Sequence, residues 1–129
     1  MEIALRAAVL DWLAGDATLA STLNAMVEEA PSRTALPWLA IAASASTDWS
    51  VKERSGREVR IALELHCRGD DPATAGALTA AVETRLENLP AQQAGFRVVS
   101  SQFLRARAEQ RAANTRAILF EYRFRLLAD

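Results

Sequence analysis

Hydrophobic and polar positions alternate along the chain in two rhythms, one helical and one extended. From Glu2 to about Ala14, the residues Ile3, Leu5, Val9, Leu10, Trp12 and Leu13 form a wide apolar stripe with Arg6 and Asp11 outside it, which predicts an amphipathic helix. Gly15 supplies a stop. Asp16 then caps a second, short helix with Leu19, Leu23, Met26 and Val27 on one face, ended by Pro31. Ser32 to Pro37 reads as a loop, and Trp38–Ala43 as a strand. The polar stretch from Ser44 to Gly56 predicts a long hairpin arm with its turn near Ser55-Gly56. Val59, Ile61, Leu63 and Leu65 alternate with Arg60, Ala62, Glu64 and His66, the period-two pattern of a strand with one face in the core.

The second half opens on the strongest local signal, Gly69-Asp70-Asp71-Pro72. Asp71 suits an N-cap and Pro72 the first helical position. A helix from Pro72 to about Leu89 follows, with Leu78, Val82, Leu86 and Leu89 on its buried side and Pro90 barring continuation. Phe96–Leu104 reads as a strand and Arg105–Thr115, which lacks apolar periodicity, as a polar loop. In the last strand, Ala117–Leu127, Ile118, Phe120, Tyr122, Phe124 and Leu126 oppose Glu121, Arg123 and Arg125. The order α-(α)-β-β-α-β-β predicts an α+β domain over residues 1–129: a mostly antiparallel four-stranded sheet with helices packed on one face.

Composition adds bounds. The 129 residues are half hydrophobic and 24% charged, enough for a single core without a metal or disulfide. No apolar run approaches the ~20 residues of a membrane span, and the first residues lack the basic region and long apolar core of a signal peptide, so a cytoplasmic product with no membrane contact is expected. The lone Cys67 excludes an internal disulfide and a multi-cysteine metal site. The net charge of −1 argues against a general nucleic-acid binder, but the charge is split. Residues 1–32 set Arg6 against Glu2, Asp11, Asp16, Glu28 and Glu29, whereas residues 96–126 set seven arginines against Glu109 and Glu121. Fourteen of the fifteen bases are arginine, which fits either ordinary composition bias or packing between subunits.

Candidate chemistry is sparse. His66 lies two residues from Glu64, a spacing open to acid–base work, but no nucleophile carries an activating signature and Cys67 points to the opposite face, so a strand-surface histidine is the better reading. Asp71 is accounted for by capping, and no second carboxylate motif has ligand spacing. No glycine-rich phosphate loop is present. The expectation is therefore no catalytic residues, no metal and no cofactor. Two features invite a binding role. The run around Arg105, Arg107 and Arg111 is a solvated hairpin loop, a subunit contact or the lining of a channel. Trp49, in the polar arm with Lys52 and Arg54, is a binding anchor or folds back onto the sheet.

Across nearly the whole chain, the pattern resembles the small phage tail-terminator or tail-completion family, in versions similar to those of gene transfer agents. The resemblance is carried by the helix start Glu2-Ile3-Ala4-Leu5-Arg6-Ala7, the strand Leu36-Pro37-Trp38-Leu39-Ala40-Ile41, and the steps Asp48-Trp49-Ser50 and Gly56-Arg57-Glu58-Val59. It continues through Leu63-Glu64-Leu65-His66-Cys67-Arg68 to the ending Leu119-Phe120-Glu121-Tyr122-Arg123-Phe124-Arg125-Leu126-Leu127. His66-Cys67 replaces the hydrophobic or tryptophan position often found before the arginine. The resemblance implies a non-enzymatic virion structural protein that forms a hexameric ring on the head-proximal end of the tail tube. It implies the tail tube and head–tail connector proteins as partners, with DNA only as cargo passing through the channel, in a particle assembled in the bacterial cytoplasm. Trp49, Lys52, Arg54, Arg105, Arg107 and Arg111 are the candidate subunit or tube contacts. The alternatives are another neck or head-closure ring protein and a small dimeric α+β module that binds a ligand or RNA.

Overall fold

The computed structural model describes residues 1–129. Three helices, α1 (Glu2–Ala14), α2 (Ala17–Thr22) and α3 (Pro72–Glu87), pack on one face of a curled sheet. The strands are β1 (Met26–Val27), β2 (Trp38–Asp48), β3 (Gly56–Arg68), β4 (Gln92–Gln93), β5 (Phe96–Arg111) and β6 (Thr115–Ala128), in spatial order β1-β2-β3-β6-β5-β4. No helix is long and apolar enough to cross a membrane.

The α+β class and the helix-covered face are as expected, but the sheet has six strands rather than four. The two extra strands are two residues each, and β1 is the only one that pairs in parallel, through Met26 with Leu39 and Val27 with Ala40. Met26 and Val27 therefore do not extend the second helix. Leu23 already has extended backbone (ψ 135°), the Asn24 amide donates to the Pro37 carbonyl, and its side chain donates to the Ala35 and Leu36 carbonyls. These bonds turn the chain onto the edge of β2.

The hairpin arm after Ala43 forms with its turn displaced, and most of the segment read as a loop at Arg105–Thr115 is strand. β2 continues through the polar residues to Asp48, paired with Arg57, and its turn sits at Lys52-Glu53 inside the Val51–Arg54 bridge, not at Ser55-Gly56. β5 continues through Arg105 to Arg111, paired with Thr115, and reverses over Ala112–Asn114, where Ala113 and Asn114 adopt positive φ. Apolar periodicity is missing from Arg105–Arg111 because no helix covers either face there; pairing with β6 alone makes it a strand.

The core lies between the helices and the sheet. Val59, Ile61, Leu63 and Leu65 pair across β3–β6 with Phe124, Tyr122, Phe120 and Ile118, all on the helix side. Leu5, Val9 and Leu13 of α1, and Leu78, Val82 and Leu86 of α3, close over them. Both expected caps form, with Asp16 accepting from the Leu19 amide and Asp71 from the Thr74 amide. The Thr74 hydroxyl, and then its amide, hold the Asp71 carboxyl below its ordinary value.

The helix layer is clasped at each end. Arg6 donates to Glu28 (3.1 Å) and Ser44 (2.8 Å), joining α1 to the β2 edge. At the other end the Arg85 guanidinium lies 3.5 Å from the Trp12 ring centre. Arg85 Nε donates to the Trp12 carbonyl and Trp12 Nε1 donates to the Arg85 carbonyl, each at 2.7 Å. A charge-assisted bond and a cation–π contact are lost together in Arg85→Ala, which is expected to destabilise by about 2 kcal/mol. Trp12→Phe leaves a smaller aromatic face for Arg85 and loses the indole donor, so it should cost about 1 kcal/mol. Urea unfolding of both variants checks the order; equal costs would show that the stacking contact contributes nothing.

Candidate functional site

The face turned away from the helices is the one with unexplained chemistry. All four long strands line a hollow of about 200 Å³ there, with Ala43 and Ala45 from β2, Arg60 and Ala62 from β3, Glu121 from β6 and Leu104 from β5. Strands at the two sides of the sheet reach one hollow because the sheet curls. Leu104 is the unpaired residue of a bulge between Phe103 and Arg105, which aims it into the hollow.

This face is laced with ion pairs. Glu58 bridges Arg125 (3.1 Å) and Arg123 (3.8 Å), Arg105 bridges Glu121 (2.8 Å), and Glu109 bridges Arg107 (3.1 Å) and Arg111 (2.8 Å). Arg123 also donates to Gln102. Arg105 holds the Glu121 carboxyl below its ordinary value, and Arg111 does the same for Glu109. Pairs this exposed contribute little to stability, but they fix the guanidiniums in place. The arginines read from the sequence as a loose basic loop are a regular row on β5, each with an acidic partner in the same hairpin.

The six residues expected at contacts fall into two groups. Trp49, Lys52 and Arg54 sit at the β2–β3 turn, which lies beside the end of β6: Arg54 donates to the Ala128 carbonyl (2.8 Å), and Arg125 lies 5.6 Å from the Trp49 ring centre. Trp49 is half-buried, folded back beside the sheet, while Lys52 is exposed. Arg105, Arg107 and Arg111 approach the β5–β6 turn, which lies beside Arg68 and Gly69 at the opposite end. β3 spans the 13 residues between the two ends, about 40 Å at ~3.3 Å per residue. The two groups do not converge on one site.

His66 is not the open surface histidine of the sequence reading. Its ring stacks on Trp38 with centres 4.0 Å apart, and its side chain is only 13% exposed. Nε2 lies 3.5 Å from Glu64 but makes no hydrogen bond. Its cross-strand neighbours, Trp38 and Ala117, are not nucleophiles. Cys67 is in the core, where burial pushes its thiol up to about 11, far from the thiolate that nucleophilic chemistry needs. No group of three His, Cys, Asp or Glu side chains is placed to hold a metal. What the sequence did not reveal is the pair of free strand edges and the exposed Val99 and Phe103 beside one of them; no sequence signal marks where a partner strand is missing.

With the geometry established, comparison with known proteins gives a family. The model of the family described as tail completion protein gp17 matches residues 7–127. The chain belongs to this tail completion family. The match runs from the first turns of α1 into the end of β6, so the tail completion fold takes in every element described above. Among solved structures, a chain of the virion of a native gene transfer agent particle is similar to this tail completion protein, with 27% identity and a TM-score of 0.79. The likeness covers 97% of this chain and 96% of that chain. No curated protein matches.

Proposed function

We propose that this chain is a structural subunit of a phage-like tail that assembles as a ring, with six copies, at the head-proximal end of the tail tube. There it ends tube polymerisation and joins the tube to the head–tail connector, with DNA passing through its channel. The observation that carries this reading is the near-complete coverage, in both directions, of a chain that belongs to a gene transfer agent virion, together with membership of a tail completion family. The separation of the two groups of candidate contacts supports it, because a ring subunit seated on a tube needs a tube contact distinct from its channel or neighbour contact. The β2–β3 end, with Trp49, Lys52 and Arg54, is the proposed tube contact, and the arginine row of β5 faces the channel or the neighbouring subunit. No catalytic step is assigned: the one histidine is stacked and shielded, and the one thiol is buried.

A protein that ends tube growth predicts a length phenotype. Removing its gene from the producing strain should give tubes that run several-fold beyond normal length and carry no heads, measured by electron microscopy of negatively stained lysates. Tubes of normal length without heads would assign the chain to the connector side of the neck instead. Normal particles would overturn the reading.

A further inference from the structure

On the helix side of the sheet, α3 and β5 do not close against each other. Between them lies a groove of about 80 Å³, lined by Glu83, Leu86 and Glu87 of α3, Ser101 and Phe103 of β5, and Tyr122 of β6. Small-molecule sites start at about 300 Å³, so this one fits the end of a single side chain. Tyr122 is only 4% exposed, and its ring packs against Phe103 with centres 5.5 Å apart. Burial first, and then the charges of Glu83 and Glu87 facing it, push the Tyr122 hydroxyl up, so it stays neutral. Buried tyrosine hydroxyls ordinarily find a hydrogen-bond partner; this one finds none in its own chain.

The two carboxylates are equally unpaired. Glu83 and Glu87 stand four residues apart on one face of α3, a spacing at which like charges repel. Neither belongs to an ion pair, because Arg85, between them in sequence, turns to Trp12 instead. Phe103 adds a ring that is 47% exposed. Two carboxylates, a free hydroxyl and an aromatic ring thus border one small space. A guanidinium suits all of them: it donates to carboxylate and hydroxyl oxygens and stacks on a ring. The same charges repel a phosphate, so the ligand class is a basic protein side chain rather than nucleic acid.

Most cations of this chain are tied to its own acids, hydroxyls or carbonyls. Of the others, Lys52 lies at the β2–β3 turn, Arg60 lines the hollow on the opposite face of the sheet, and Arg97 stands on β5 itself. Arg33 remains. It is exposed, forms no ion pair or hydrogen bond, and sits in the loop between β1 and β2, at the other edge of the sheet from β5.

We propose that the groove between α3 and β5 receives Arg33 of a second copy of this chain. One edge of a subunit then meets the unlike edge of its neighbour, the kind of joint from which rings are built. This contact rests on the ring reading above and adds a residue pair to it.

Charge exchange tests it in particles made by a strain carrying the variant gene, with assembled rings counted by electron microscopy. Arg33→Glu alone, and Glu83→Arg with Glu87→Arg, should each lower ring yield at least tenfold while the circular dichroism of the purified chain stays unchanged. The three substitutions together should restore assembly, because the contact regains opposite charges. In parallel, p-benzoylphenylalanine in place of Phe103, irradiated in particles, should link to the segment of a second copy that contains Arg33. Wild-type ring yield from Arg33→Glu, no recovery in the combined variant, or links only to a different particle protein would overturn the groove contact and leave the ring intact. Absence of any ring of this chain at the tube end of wild-type particles would remove the ring reading and the contact with it.

Discussion

Phe120→Ala is expected to lower the unfolding free energy by about 3–5 kcal/mol, the range for aromatic truncation in a packed core. Phe120 has no exposed surface, lies on the central strand β6, and is flanked by Leu63 on β3 and Ala106 on β5. The ring is held from three sides, by two strands and the helix layer, so the space it leaves cannot collapse cheaply. A domain of this size is stable by only about 5–15 kcal/mol, so the loss takes at least about a fifth of the total. Chemical denaturation measures it, with Phe103→Ala as the control. Phe103 is 47% exposed, and its truncation should cost only about 1–1.5 kcal/mol by the area it buries. Similar losses at the two positions would mean that the core does not lie where these pairings put it.

Gly56→Ala is expected to destabilise by about 1–3 kcal/mol through overpacking. The reason is space rather than backbone freedom. A Cβ at position 56 would collide with the Trp49 carbonyl and lie 2.8 Å from the Leu126 carbonyl and 2.9 Å from Leu127 Cδ2. Two of these three neighbours are backbone, and both are tied down. Gly56 accepts from the Trp49 amide (3.0 Å), its own amide donates to Ser50 Oγ (3.0 Å), and it pairs with Leu127 in the β3–β6 ladder. Relief would require parting the β2–β3 turn from β6. Gly76→Ala in α3 gives the opposite sign: nothing lies within 4 Å of its Cβ position, and replacing a helical glycine with alanine gains about 0.5–1 kcal/mol. Thermal melts of the two variants should move in opposite directions. A neutral Gly56→Ala would show that the turn gives way.

The legible parts of this fold were those where one face is wet and the other dry. β3 and β6 alternate because the helices cover one side of each, and α3 announced itself through Asp71-Pro72 because capping is a local interaction. Arg105–Arg111 was illegible as a strand because its fate is set by pairing with β6 across the turn, while its own side chains are largely exposed and show no apolar alternation. β1 was mistaken for helix because Met26 and Val27 continue an apolar spacing, and nothing within four residues reveals that Asn24 is bonded to Pro37. For the candidate contacts, the sequence picked the charged residues but not their arrangement. It offered Trp49 with its arm and the arginine run as two separate contacts, and the strand register shows how far apart they lie: the arm at one end of the sheet, the arginine row running from its middle to the other end. His66 looked exposed because alternation puts it on the polar face; the stacking of Trp38 over it is a cross-strand contact that no local pattern encodes.

The position of the two turns has a mechanical consequence. A pull applied between the β2–β3 turn and the β5–β6 turn draws β3 one way and β6 the other, along their own axes. The ladder that resists it is unbroken from Gly56 with Leu127 to Arg68 with Thr115. Its hydrogen bonds lie across the direction of pull and share the load, so they must fail together rather than peel open one after another. Tension along the subunit would therefore be borne by its longest unbroken and most central strand pair, while the helices and the two free edges carry almost none of it.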